Sequence, residues 1–77
     1  MTWKIPDYHD ELERLHDLGV GPGSENRVRI GRYGNVPWRV DGYWAVFKST
    51  PKTLHVMLKS PSGESRTVFS WEILELF

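Results

Sequence analysis

The fold of this 77-residue chain depends on one stretch, Val36-Pro37-Trp38-Arg39-Val40-Asp41-Gly42-Tyr43-Trp44-Ala45-Val46-Phe47. Asp-Gly between alternating apolar residues is the strongest short-range signal for a β-hairpin. The stretch therefore predicts two short strands joined by a two-residue turn at Asp41-Gly42. It also predicts two different sheet faces, because directly opposed residues of a hairpin share a face.

The pairing of that hairpin follows from the position of its turn. Arg39 is expected to face Trp44 on the outer side of the sheet, with Pro37 and Val46 beside them. The inner, core-facing side is expected to hold the remaining residues: Val36, Trp38, Val40, Tyr43, Ala45 and Phe47.

A second turn, at residues 49–52, predicts the same two faces. The loop places a strand at Thr53–Lys59. The expected inward pairs are Phe47 with Leu54, Ala45 with Val56, and Tyr43 with Leu58. On the outer face the same register places Met57 beside Trp44 and His55 beside Val46. The two turns agree on which residues face the core.

Further strands are predicted on either side of this region. Arg27–Ile30 alternates strictly, and Ser65–Phe69 follows a turn rich in Ser, Pro and Gly. The register of the second of these strands stays open, because a slip of one residue decides whether Val68 or Phe69 faces the core. Ser70 is expected to begin a single helical turn through Leu74. The remaining residues, 75–77, form a closing tail or a short strand.

An amphipathic helix is predicted to precede the strands, over Ile5–Gly19. Pro6 suits its first turn, Gly19 suits the residue just past its end, and acidic residues lie near its N-terminus. Its apolar stripe contains Ile5, Tyr8, Leu12 and Leu15, with Leu18 at the edge. The expected organisation is a single α+β domain with a helix (5–19), a linker (20–26) and a small β-barrel (27–77).

Composition limits the function classes. The chain has no cysteine, which fits a reducing cytoplasm, and ten aromatic residues (four Trp, three Tyr, three Phe) supply much of its core. It has no apolar run of about 18 residues, so a membrane span is not expected. Neither a cofactor motif nor a catalytic nucleophile motif is recognisable, which predicts a protein that is not an enzyme.

Charge is distributed unevenly although the formal net charge is zero. Residues 7–17 contain five acids and one base, whereas residues 26–70 contain eight bases and two acids. Such asymmetry indicates either an anionic partner or docking of the acidic helix on the basic sheet. Both interpretations stay open at this point.

Trp38-Arg39-Val40, the strand meander and the segment from Thr67 to Leu74 resemble small barrels of the Tudor and Src-homology-3 type. The resemblance covers about Arg27 to Leu76. It implies a five-stranded antiparallel barrel that binds peptides, modified side chains or nucleic acid. An aromatic cage for methylated lysine, as in Tudor-type barrels, would use residues such as Tyr33 and Tyr43.

The candidate binding residues are cations interleaved with aromatic side chains: Arg27, Arg29, Arg32, Tyr33, Arg39 and Trp44. Guanidinium groups contact phosphates, and exposed rings stack on bases. The pattern predicts a binding surface for nucleic acid or a nucleotide, with a cation–π pair between Arg39 and Trp44. Alternatively, Leu12 and Leu15 of the helix cover Trp44, in which case this face is a buried seam.

Two further hypotheses concern other partners. His9, Glu13 and His16 lie on one side of the predicted helix and could hold zinc, although a solvated helix face explains them better. The surface could instead bind an acidic protein, as in an accessory subunit or a phage-type inhibitor of a larger machine. Sheet edges would also be available for strand addition.

Overall fold

The computed structural model describes residues 6–46 and 53–77. Within these ranges the elements are helix α1 (Tyr8–Leu18) and strands β1 (Arg27–Ile30), β2 (Trp38–Val46), β3 (Thr53–Lys59), β4 (Ser65–Phe69) and β5 (Ile73–Leu76). Short 3₁₀ helices, Gly31–Tyr33 and Ser70–Glu72, follow β1 and β4. The strands form one antiparallel sheet in the order β4-β3-β2-β1-β5. The predicted α+β class is confirmed, whereas the sheet is not closed into a barrel, because no pairing among the described residues joins its edge strands β4 and β5.

The predicted hairpin at Asp41-Gly42 is wrong. Trp38–Val46 is one continuous strand, and the pairing with β3 shifts between Val40 and Gly42, so Asp41 is the extra residue of a β-bulge. Both halves of β2 pair with β3, and the chain therefore does not reverse. A Cβ atom on Gly42 would lie 2.7 Å from Cε of Met57, so a larger residue there would have to displace the flexible end of that side chain.

The observed register of β2 and β3 differs from the expected one, but the predicted faces are preserved. Tyr43 pairs with Val56 and Ala45 with Leu54, two residues away from the expected pairs. A shift of two residues leaves every side chain on its original face. Trp38 and Val40 are buried and Ala45 is half-buried, whereas Phe47 and the turn at 49–52 lie outside the described residues.

The fifth strand lies at the end of the chain. The helical turn expected to reach Leu74 ends at Glu72, and Ile73–Leu76 then pairs with β1. In β4 the open register is resolved, because Val68 is only 2% exposed and Phe69 is 42% exposed. The sheet thus has five strands, as predicted. The two strands expected in the hairpin are the single strand β2, and the end of the chain supplies the fifth strand, β5.

Helix α1 packs on the inner face of the sheet. Asp7 caps it by accepting a hydrogen bond from the backbone N–H of His9, and Gly19 ends it with φ of 84°. Leu15 is fully buried in a core cluster with ten other residues: Val20, Val28, Ile30, Trp38, Val40, Leu54, Val56, Leu58, Val68 and Ile73. Trp44, on the outer face, is 62% exposed. The alternative in which the helix covers Trp44 is therefore wrong.

Candidate anion-binding surface on the outer face

Three cations lie side by side across the outer face of the sheet. Arg27 of β1 is the Cα partner of Arg39 of β2, and Arg39 is the partner of Lys59 of β3. Neighbouring strands are about 4.8 Å apart, so the backbone brings the three positions close together. Each cation adjoins a buried residue of its own strand, which directs the cation away from the core. We call Arg27, Arg39 and Lys59 the cation row.

The cation row has little internal neutralisation. The guanidinium of Arg39 lies 3.9 Å from the carboxylate of Asp41, and both side chains are about half exposed (47% and 58%). Arg27 donates a hydrogen bond of 2.7 Å to the carbonyl oxygen of Glu25, which carries no net charge. Within the described residues no carboxylate lies within 4 Å of the Lys59 ammonium. Like charges directly opposite one another destabilise a sheet, and a bound anion would relieve that repulsion.

Two surface clefts flank the cation row. One has a volume of about 280 Å³ and is lined by all three cations together with the turn after β3. The other has a volume of about 270 Å³ and lies between the Arg27–Arg39 pair and residues 23–25. Because both clefts share Arg27 and Arg39, these two guanidinium groups are accessible to a ligand from either side.

The turn beside the first cleft is tightly hydrogen-bonded. Ser60 is 8% exposed, its N–H donates to the Glu64 carbonyl at 2.9 Å, and its hydroxyl accepts from the Glu64 N–H at 3.0 Å. Gly63, with φ of 93°, donates its N–H to the Ser60 carbonyl at 3.0 Å. This turn follows Lys59 directly and gives the cleft a fixed wall.

Arg29 and Arg32 have other roles than the sequence predicted. Arg29 pairs across strands with Glu75 (3.9 Å) and donates to Asn35 Oδ1 at 2.7 Å. Arg32 holds Glu72 at 2.7 Å and places its guanidinium 4.7 Å from the Tyr33 ring centre. Both guanidinium groups thus have a carboxylate partner, Arg29 at the same 3.9 Å distance that separates Arg39 from Asp41. They differ from Arg39 in that neither lines the two clefts.

The two tyrosines and Trp44 are not brought together. Tyr33 packs on Trp38 at 5.4 Å between ring centres, and Trp44 lies six residues farther along β2, roughly 20 Å away for an extended strand. The Tyr43 hydroxyl donates to the Val20 carbonyl at 2.9 Å, and burial raises the pKa of this phenol. Arg39 and Trp44 lie on the same continuous strand, so the predicted cation–π pair between them is wrong.

Aromatic side chains form a second row on the outer face. Trp44 is the Cα partner of His55, and His55 is the partner of Phe69. The ring centres are 6.4 Å apart for Trp44 and His55, and 4.9 Å apart for His55 and Phe69. Phe69 in turn stacks nearly parallel on Trp71 at 4.5 Å. We call Trp44, His55, Phe69 and Trp71 the aromatic row.

Sequence reasoning missed Lys59, His55 and Phe69 as surface residues of interest. The outward positions of Thr53–Lys59 were recognisable from the alternation, which assigns His55 and Lys59 to the outer face. The assumed hairpin, however, placed Trp44 rather than Lys59 beside Arg39. The bulge at Asp41 carries no sequence signal that distinguishes it from an Asp-Gly turn.

Neither a metal-binding cluster nor a membrane-spanning helix occurs in the part of the chain that the structure describes. No group of three His, Cys, Asp or Glu side chains that could hold a metal ion occurs in residues 6–46 or 53–77, so His9, Glu13 and His16 do not form the hypothesised zinc site. Across the same ranges no helix has the length and apolar character needed to cross a bilayer.

Comparison with protein-family models, with curated proteins and with solved structures finds no match to this chain. The cation row and the aromatic row are therefore the features from which a function is inferred.

Proposed function

We propose that this chain is a non-enzymatic nucleic-acid-binding protein whose cation row contacts the phosphate backbone. The observation that carries the proposal is the direct cross-strand alignment of Arg27, Arg39 and Lys59. Cations placed in register repel one another in the free protein, so the arrangement favours a partner with several negative charges. A polyphosphate backbone supplies such charges at regular intervals.

The chemistry of the side chains supports phosphate as the ligand group. Two of the three cations are arginines, whose planar guanidinium matches phosphate geometry and forms two parallel hydrogen bonds to it. The hydrogen bond from Arg27 to the Glu25 carbonyl orients one guanidinium before a ligand arrives. The hydrogen-bonded turn after Lys59 likewise holds the wall of the first cleft in place before a ligand binds.

The neutral net charge is compatible with local attraction. Helix α1 carries much of the acidic charge and packs on the inner face, whereas the cation row lies on the outer face. Among the described residues no ion pair joins an acidic side chain of the helix to a cation of the sheet. Docking of the acidic helix on the cation row is thus not supported, and the row attracts an external anion.

The layout of the sheet supports a barrel of the Tudor and Src-homology-3 type as the scaffold. β2 is long, pairs with β1 at its start and with β3 along its length, and contains a bulge. A 3₁₀ helix over Ser70–Glu72 joins β4 to β5, and β5 returns to pair with β1. We propose that strand coiling around the bulge gives the sheet the curvature of such a barrel.

An acidic protein surface is the alternative partner for the same cations, which would make the chain an interaction module. That alternative predicts that the chain binds an acidic protein and has no affinity for oligonucleotides. Nucleic acid is favoured here because an aromatic row suited to bases shares the face with the cation row.

The test is a fluorescence anisotropy titration with labelled single-stranded and duplex oligonucleotides. Three phosphate contacts predict a log–log salt slope of about −2 for a single strand, or a loss of about 20-fold between roughly 50 and 200 mM salt. Absence of binding at the lower salt concentration would eliminate the nucleic-acid proposal. Binding to an acidic protein, abolished by Arg39→Gln, would then support the interaction module.

Arg29 provides the matched control. Arg39→Gln removes one member of the cation row and should weaken binding and reduce the salt slope by about 0.7. Arg29→Gln removes an arginine of the same face that already pairs with Glu75 and Asn35. It should leave both quantities nearly unchanged. Equal losses for the two variants would indicate a general charge effect rather than a site.

A further inference from the structure

The aromatic row is a second exposed feature of the outer face. Trp44, on the central strand β2, is 62% exposed, and Phe69, at the end of the edge strand β4, is 42% exposed, although both are large aromatic residues. The row crosses three adjacent strands, from β2 through β3 to β4. A contiguous series of rings on the surface marks a binding site more often than a scattered single residue does.

The two rows lie on the same face at a defined separation. Lys59 and His55 are four residues apart on β3, which corresponds to about 13 Å along the strand. Between the rows lie Gly42, Met57 and Thr67, which are cross-strand partners. Gly42 has no side chain and Thr67 has a short one, whereas Met57 is 39% exposed and its Cε lies close to Gly42, so one flexible apolar side chain separates the two rows.

We propose that the aromatic row stacks on the unpaired bases of a single-stranded nucleic acid whose phosphates lie on the cation row. This inference rests on the proposed function and adds the class of nucleic acid. Aromatic rings hold bases by stacking, which requires bases that are not already stacked and paired in a duplex. The cation row on the same face supplies the charge complementarity that selects this partner.

The separation of the rows implies contact with more than one nucleotide. The distance of about 13 Å exceeds the rise of about 3.4 Å per stacked nucleotide. The rings and the cations therefore contact different nucleotides of one strand. An oligonucleotide should consequently bind more tightly than a mononucleotide, because only the longer ligand reaches both rows.

Two probes of equal length and charge separate stacking from phosphate binding. One is an oligothymidylate of about 12 nucleotides, and the other is an oligomer of the same length built from abasic sites. The wild-type protein should prefer the oligothymidylate by about fivefold or more, since each stacked base contributes roughly 5- to 150-fold in affinity. It should also prefer the oligothymidylate to a duplex of the same length, because the bases of a duplex are already stacked and paired.

Variants of Trp44 assign that preference to the aromatic row. Trp44→Leu retains an apolar side chain without a π face, and it should lose most of the preference while binding the abasic oligomer with unchanged affinity and salt slope. Trp44→Phe keeps a ring and should retain part of the preference. Arg39→Gln should weaken binding to both probes equally. Circular dichroism of each variant verifies that the fold is retained.

The two proposals fail in different ways. Equal wild-type affinity for the two probes, or a preference that survives in Trp44→Leu, would overturn the stacking inference while leaving phosphate binding intact. Absence of salt-dependent binding to either probe would overturn the proposed function and the inference with it. Equal loss in Trp44→Leu and Trp44→Phe would also overturn stacking, because one of those variants still carries a ring.

Discussion

The carboxylate of Glu11 in helix α1 accepts a hydrogen bond of 2.8 Å from the hydroxyl of Ser70, 59 residues later in the chain. Glu11 is 4% exposed and Ser70 is fully buried, so this bond lies in the interior. Arg14 completes the network by donating to both Glu11 oxygens and to the carbonyls of Ile73 and Ser70. These bonds attach the helix to the segment that joins β4 and β5.

Replacing Glu11 with alanine should destabilise the fold. The substitution leaves the buried Ser70 hydroxyl without its acceptor and Arg14 without its carboxylate, and it should cost about 1.5–3 kcal/mol of unfolding free energy. For a domain of this size, each kcal/mol corresponds to a melting temperature lower by about 4–8 °C. Glu13→Ala is the control, because Glu13 is exposed on the same helix. Similar melting temperatures for the two variants would contradict a structural role for the network.

The same network predicts how stability depends on pH. Burial acts against ionisation of Glu11, but hydrogen bonds from Arg14 and Ser70 and the positive charge of Arg14 outweigh it, so the pKa of this carboxyl lies below its ordinary value of 4.5. A lowered folded-state pKa contributes stability that is present above pH 4.5 and is lost as the pH falls through the folded-state value. Urea unfolding between neutral and acidic pH should show this loss in the wild-type protein. Glu11→Gln should reduce the difference in unfolding free energy between neutral and acidic pH. An unchanged difference would contradict this role of Glu11.

Most of the helix and strand positions could be predicted from the sequence because they depend on residues that are close together in the chain. Strict alternation delimits Arg27–Ile30, turn residues delimit Thr53–Lys59 and Ser65–Phe69, and the observed strands have these bounds. The helix ends at the predicted Gly19, but it begins at Tyr8, after the cap Asp7, rather than at the predicted Ile5. Each of these signals depends on neighbours within a few residues, which the sequence displays directly.

The errors occurred where distant pairing decides between two local options. Asp41-Gly42 suits a turn and a bulge equally well, and only the pairing of β2 with β3 on both sides of it selects the bulge. The site changed accordingly, because the continuous strand places Arg39 between Arg27 and Lys59. Arg29 and Arg32 could not be excluded from the sequence, since their partners Glu75 and Glu72 lie about 40 residues or more away.

Tyr43 connects the sheet to the segment that follows helix α1. Its hydroxyl donates to the carbonyl of Val20, a buried residue of that segment. Tyr43→Phe removes the donor and should lower the unfolding free energy by about 1 kcal/mol. Because burial raises the phenol pKa above its ordinary value of 10, the associated stability is present below pH 10 and lost as the pH rises through the folded-state value. Thermal melts at neutral pH should show the lower stability of Tyr43→Phe. Tyr33→Phe is the control, since no hydrogen bond of the Tyr33 hydroxyl occurs within the described residues.

The cation row should oppose stability in the free protein. Arg39 lies directly between two other cations, and removing its charge relieves repulsion on both sides. Arg39→Gln should therefore leave the unfolding free energy unchanged or raise it by about 0.2–1 kcal/mol, even though it weakens oligonucleotide binding. Urea unfolding at low and high salt measures this effect, and the gain should diminish at high salt because screening already reduces the repulsion.

Arg29→Gln is again the control for the cation row, because it loses contacts to Glu75 and Asn35 without relieving any cross-strand repulsion. It should give no gain in stability at low salt. If Arg39→Gln instead destabilises the fold, Arg39 serves the structure, and the like-charge alignment cannot be explained by selection for a ligand. If Arg39 is retained for its ligand, Arg39→Gln should keep or raise the unfolding free energy and weaken oligonucleotide binding.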